Sequence, residues 1–198
     1  MPYEAVAIGV SAGGLQALLT LLPMLPAAFP LPIAIVQHIG GRSDGFMAEY
    51  LNQASKISVK EAEDKEPLYP GIAYLAPPGY HLLIEQERTF SLSVDPRVNY
   101  SCPSIDVLFE SAAQAFGKSL IGIVLTGANA DGAHGLKIIK ERGGLAIVQN
   151  PETAESSAMS RAAISTVSVD YIVNLEHIAP LLVRLCTSQE EKEYGANG

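Results

Sequence analysis

Residues 5–14, Ala5-Val6-Ala7-Ile8-Gly9-Val10-Ser11-Ala12-Gly13-Gly14, constrain the fold more than any other stretch. Five apolar residues and a glycine without polar alternation predict a strand buried on both faces, as in a parallel sheet covered by helices. The strand runs into Ser11 and two glycines, after which Leu15, Leu18, Leu19 and Leu22 recur at helical spacing. Ser11 is therefore expected in a tight strand-to-helix turn, its hydroxyl at the sheet edge beside the first free N–H groups of a helix. Such N–H groups favour negative charge, either a bound phosphate or the oxyanion of an acyl-transfer step.

The same alternation continues along the chain. Pro23 and Pro26 end the first helix, and Ile33-Ala34-Ile35-Val36-Gln37-His38 is a second short buried strand closing on a polar residue. Asp44 is a candidate N-cap for a helix through Phe46, Tyr50 and Leu51, and residues 57–59 are a candidate third strand. Residues 61–66 read as a charged, solvated loop. Residues 71–76 are strand-like, and residues 81–85 and 89–94 flank a polar connector with no helix between them. That pattern predicts an antiparallel hairpin at one edge of the sheet. After a loop over 95–103, Ser104 is expected to cap a helix whose apolar face is Ile105, Leu108, Phe109, Ala112 and Phe116. A strand over 120–125, a helix through Leu136, Ile138 and Ile139 closed by Gly143-Gly144, and a strand over 145–148 follow. A short helix at 157–166, a strand at 171–173 and a helix from Glu176 to Cys186 complete an open, mostly parallel α/β sheet. Residues 1–187 are expected to be one domain, and residues 188–198 a polar, disordered tail.

Composition narrows the functional classes. A formal charge of −8 argues against a nucleic-acid backbone or an anionic membrane surface as partner. No apolar run reaches the length of a membrane span, and the first residues lack the pattern of a signal peptide. Cys102 and Cys186 have neither redox-pair nor metal-ligand spacing, so a reduced, cytoplasmic setting is expected. His38, His81, His134 and His177 are scattered, and neither a metal nor another cofactor is expected. Cys102 is a lone thiol, and Glu61, Glu63, Asp64 and Glu66 form a charge run without an evident apolar pocket.

Ser11, His38 and Asp131 each follow the carboxyl end of a different apolar strand. In an open parallel sheet those ends share one edge, where ligands bind. Serine is a poor nucleophile while its hydroxyl stays protonated, and an imidazole accepting that proton contributes about 10²–10⁴-fold. A carboxylate behind the imidazole fixes its tautomer and stabilises the imidazolium. Taken singly, the serine reads as a turn residue, the histidine as structural and the aspartate as a helix cap. Only their shared edge points to catalysis, and the residues alone leave both readings open. Nucleotide binding is a weaker rival. The turn at 9–14 carries Ser11 where a dinucleotide fingerprint needs its second glycine, and His38 stands where the ribose carboxylate belongs.

Four motifs together resemble the catalytic domain of CheB, the chemotaxis protein-glutamate methylesterase. They are Ile8-Gly9-Val10-Ser11-Ala12-Gly13-Gly14, Val36-Gln37-His38, Pro103-Ser104-Ile105-Asp106-Val107-Leu108-Phe109, and Leu125-Thr126-Gly127 with Asp131-Gly132-Ala133 and Gly135. The likeness spans about residues 5–185. It implies a doubly wound, mostly parallel sheet covered by helices on both faces, with an antiparallel hairpin at one edge. It also implies hydrolysis of glutamate γ-methyl esters, and in many members deamidation of glutamines, on the cytoplasmic helices of methyl-accepting chemoreceptors. The family's nucleophile falls on Ser11, its base on His38 and its aspartate on Asp131, with oxyanion N–H groups at Ala12 and Ala128. The family commonly carries a receiver domain ahead of the esterase, and none is expected here. Departures at Cys102, at 128–130 and at 158–160 are expected to border the crevice and to alter receptor docking or substrate choice. The alternative in another class is a non-catalytic receptor- or adaptor-binding module on the same fold.

Overall fold

A computed structural model describes residues 3–38 and 46–187. In chain order the first elements are β1 (Ala5–Val10), α1 (Gly14–Leu21), β2 (Ile33–Gln37), α2 (Phe46–Ala54), β3 (Ser58–Glu61) and β4 (Ile72–Leu75). After them come β5 (His81–Ile84), β6 (Phe90–Ser93), α3 (Ile105–Phe116), β7 (Leu120–Val124) and α4 (Ala133–Glu141). The last are β8 (Leu145–Gln149), α5 (Ala158–Thr166), β9 (Tyr171–Val173) and α6 (Leu175–Thr187). The expected cap at Asp44 lies outside the described residues.

Seven strands form one sheet in the order β3-β4-β2-β1-β7-β8-β9, and every pairing in it is parallel. The central strands β1, β2 and β7 are buried along their whole length, as their unbroken apolar runs require. The chain leaves β1 towards β2 on one side and leaves β7 towards β8 on the other. A crevice therefore opens beyond the carboxyl ends of these two neighbouring strands, at the point where the winding reverses.

Alternation along the strands divides the interior into two cores. Val6, Ile8, Val10, Ile33 and Ile35 face α1, α2 and α6 through Leu18, Leu51 and Leu182. Ala5, Ala7, Ala34 and Val36 face α3, α4 and α5 through Phe109, Leu136 and Met159. On β1 this second face is made of small residues, and at Gly9 it is smallest: a Cβ there would lie 2.2 Å from Ile105 Cγ2. This lets α3 sit low over β1 and brings its N-terminus to the crevice.

The expected hairpin is present, with β5 and β6 in antiparallel register from His81↔Ser93 to Ile84↔Phe90. It forms a two-stranded sheet of its own. Leu82, Ile84 and Phe90 are buried in the second core, and the Phe90 ring packs on Tyr74 at 4.8 Å between centroids. That packing draws the hairpin over the sheet's end, while β3 occupies the edge beside β4.

The charged stretch after β3 is more ordered than a solvated loop. Lys60 Nζ lies 2.8 Å from carboxylates of both Glu63 and Glu66, Ala62 is buried, and Asp64 accepts from the Leu92 N–H at 3.1 Å. No helix among the described residues is long and apolar enough to cross a membrane.

Candidate active site

The turn after β1 is held from three directions. Ser11 N–H donates to Thr126 O at 2.9 Å, Gly14 N–H closes the turn on Ser11 O at 2.9 Å, and Gly13 takes φ +76°. Thr126 Oγ1 donates to Ala12 O at 2.8 Å and accepts from Ser156 N–H at 2.9 Å, tying the turn to the segment before α5. Gln37, the last residue of β2, donates from Nε2 to Ser11 O (3.0 Å) and His38 O (2.7 Å). Its buried Oε1 has no hydrogen-bond partner among the described residues and lies against Gly14, where an added Cβ would come within 1.8 Å of it.

His38 Nδ1 stands 3.2 Å from Ser11 Oγ, and His38 Nε2 stands 2.8 Å from Asp131 Oδ2. A carboxylate only accepts, so the proton on Nε2 points to Asp131 and Nδ1 is left as the acceptor facing the serine hydroxyl. Asn129 Nδ2 approaches the same Nδ1 at 3.4 Å. The three residues that the sequence placed at one edge are thus brought into one hydrogen-bonded chain.

Asp131 is buried, and it accepts far more than one histidine bond. Oδ2 also takes the Ile105 N–H at 2.7 Å, while Oδ1 takes Ser104 Oγ–H (2.9 Å), Asn99 Nδ2–H (3.0 Å) and Asp106 N–H (3.2 Å). Burial by itself opposes the charge, but the bonds from His38, Asn99, Ile105 and Ser104 outweigh it and hold the carboxyl below its usual range. Ser104 therefore does not cap α3 with its side chain: its hydroxyl is turned to Asp131, and Asp131 caps α3 in its place. A cap drawn from a distant segment leaves no local sequence pattern.

Asp106 and Asn99 belong to this site and were not singled out from the sequence. Asp106 sits among the apolar positions of the α3 first turn, and Asn99 lies in a polar loop, so neither carries a periodic signal. Burial, with the Asp131 charge adding to it, pushes Asp106 up against the bonds it accepts from Gly135 and Gly132.

The other candidates fall elsewhere. Burial raises the Cys102 thiol, the opposite of what a reactive thiol needs. Among the described residues no group of three or more His, Cys, Asp or Glu side chains is arranged to hold a metal ion. A cavity of about 520 Å³ opens beside Ser11, lined by Gly13, Gln37, Met47, Tyr50 and Glu155 among others. Among the described residues, neither Ala12 N–H nor Ala128 N–H has a protein acceptor. Gly127 runs so close that a Cβ there would lie 3.0 Å from Ser11 Cβ.

The family model described as CheB methylesterase matches residues 6–182 of this sequence. The chain belongs to that family. A Leptospira interrogans protein named "Putative protein-glutamate methylesterase/protein-glutamine glutaminase" is 58% identical over 185 residues, 93% of this chain and 96% of that protein. Protein-glutamate methylesterase FrzG of Myxococcus xanthus is 40% identical over 186 residues, covering 92% of this chain and 55% of FrzG. The crystal structure of the Thermotoga maritima CheB methylesterase catalytic domain superposes with a TM-score of 0.89 at 32% identity, over 93% of this chain and 100% of that one.

In the departure at 158–160, Ala158 is exposed while the two residues after it turn inward. Met159 and Ser160 are buried behind the 126–128 segment, with Met159 N–H donating to Gly127 O at 2.9 Å and Ser160 Oγ lying 3.4 Å from Leu125 O. Their packing supports the CheB-type turn from behind, because the first turn of α5 docks on β7. Residues 128–130 do reach the site, through Asn129 beside His38.

Proposed function

We propose that this chain is a protein-glutamate methylesterase that hydrolyses glutamate γ-methyl esters on methyl-accepting chemoreceptors, with Ser11, His38 and Asp131 as its triad. The observation that carries the reading is the unbroken chain from Ser11 Oγ through both imidazole nitrogens to a buried carboxylate, in a member of the CheB methylesterase family.

In this reading His38 Nδ1 takes the proton as Ser11 Oγ attacks the ester carbonyl carbon, and Asp131 stabilises the imidazolium at Nε2. The oxyanion is held by backbone N–H groups at Ala12 and Ala128, whose side chains need have no particular chemistry for that task. His38 then protonates the departing methoxide, methanol leaves, and a water deprotonated by the same nitrogen attacks the acyl-enzyme. The products are glutamate and free Ser11. A glutamine side chain takes the same course with ammonia as leaving group, which is the glutaminase activity in the names of relatives. The substrate side chains lie on the cytoplasmic helices of the receptors, and the enzyme works there, with residues 1–187 acting as one catalytic domain.

Methanol release from methyl-labelled chemoreceptor fragments tests the reading. Wild type is expected to release label, while Ser11→Ala and His38→Ala fall by several orders of magnitude, by analogy with the ~10⁶-fold loss in a serine protease. A wild-type chain that releases nothing and is not labelled at Ser11 by a serine-directed phosphonate would instead be a receptor-binding module.

A further inference from the structure

Two buried carboxylates meet where α3 and α4 begin, and each caps the other's helix. Asp131, just ahead of α4, accepts the N–H groups of Ile105 and Asp106 at the start of α3. Asp106, in the first turn of α3, accepts the N–H groups of Gly132 (3.0 Å) and Gly135 (2.7 Å) at the start of α4. The exchange satisfies both helix ends, but it sets two acidic groups side by side, 1% and 5% exposed.

One side chain stands between them. Asn99 Nδ2 donates to Asp106 Oδ2 at 2.8 Å and to Asp131 Oδ1 at 3.0 Å. A primary amide offers two hydrogens from one neutral nitrogen. A hydroxyl would serve one carboxylate only, and a carboxylate would add a third charge. The amide is delivered by a tight turn in which Val98 and Ser101 exchange both backbone hydrogen bonds, at 3.1 and 2.8 Å. Asn99 and Tyr100 at its centre take φ +49° and +63°. This is the two-residue hairpin geometry that asparagine favours at its first centre position, so one residue suits both the turn and the bridge.

We propose that Asn99 is a positioning residue for the hydrolysis: by bridging Asp106 and Asp131 it keeps Asp131 ionised with Oδ2 turned to His38 Nε2, which leaves Nδ1 facing Ser11 Oγ. This rests on the triad assigned above. The titratable groups around Asp131 are His38 beyond β2, Asp106 on α3 and, farther out, the Glu110–His134 pair between α3 and α4 at 3.8 Å. His81 on β5 reaches the site through Ser104 N–H, which donates to its Nδ1 at 3.2 Å. Among the described residues, Asn99 is the only side-chain donor to Asp131 that also binds Asp106, which sets its role apart from that of Ser104.

Two variants separate positioning from simple support. Asn99→Gly removes the amide without strain at a positive φ, and Asn99→Asp keeps the shape while replacing both donors with charge. With methyl-labelled receptor fragments, each is expected to lower kcat by about 10-fold or more with KM within about twofold, the mark of lost geometry at the reacting groups. In substrate-free protein, the low-field proton NMR resonance of His38 Nε2–H is expected to shift or broaden in both variants. Unchanged kcat and an unmoved resonance in folded Asn99→Gly and Asn99→Asp would overturn the proposal, as would a fall in activity that only tracks lost folded protein. The resonance is read without substrate. If wild type releases no methanol while the resonance responds to Asn99, the bridge stands and the methyl-ester reading falls.

Discussion

At the scale of single residues, the distinguishing feature is a buried carboxylate that gathers donors from three segments of the chain. Among the described residues five hydrogen bonds converge on Asp131, and donors that solvate the anion favour its ionised form. Its acid dependence follows with a definite sign. The folded value lies below the unfolded one, so Asp131 contributes stability above the ordinary carboxylate range, lost as pH falls through that range towards the lower folded value. Asp106 is displaced the other way: its contribution is present at low pH and is lost as pH rises through the raised folded value. Denaturant unfolding across acid pH is therefore expected to show a shallower acid loss in Asp131→Asn than in wild type. The same variant is expected to lose about 10⁴-fold in kcat for methanol release, because an amide cannot accept from both His38 and the α3 backbone while keeping the tautomer. An acid limb of stability identical to wild type would mean that Asp131 is not the carboxylate responsible.

At the scale of elements, the decisive contacts are made through glycines on the second face of the sheet. Gly9 on β1 admits Ile105, and Gly135 in α4 admits Phe109: a Cβ on Gly135 would lie 2.5 Å from Phe109 Cβ and 3.1 Å from Asp106 Cα. Helices α3 and α4 are close because of these missing side chains, and only at that distance do Asp106 and Asp131 reach each other's helix ends. Gly135→Ala is expected to cost about 1–3 kcal/mol of unfolding free energy, measured by chemical denaturation, since both atoms in the way are rigid parts of α3. Activity of the folded variant should fall as well, because the displaced α3 carries away two of the N–H groups that aim Asp131. An alanine tolerated with full activity would show that the cross-capping has slack.

At the scale of the whole molecule, two cores lie on opposite faces of one seven-stranded sheet, and β1, β2 and β7 contribute side chains to both. Neither core can open without exposing the other face of the same strands. Thermal unfolding followed by far-UV circular dichroism and by tyrosine fluorescence is therefore expected to give one coincident transition, the eight tyrosines reporting in a chain without tryptophan. Two separated transitions would mean that the faces unfold independently. Much of this architecture is legible in the sequence, because apolar periodicity is a local property. Unbroken apolar runs become central parallel strands, and strand direction then fixes which edge a following residue must occupy. Ser11, His38 and Asp131 could be assigned to one edge on that ground. The rest depends on distances between segments far apart in sequence. Nothing local tells Ser104 to leave its own helix end for Asp131, draws the hairpin over the second core, or brings Asn99 between two carboxylates. Those choices are made when α3 settles on the small residues of β1, since a buried polar group bonds to whichever partner packing brings within reach.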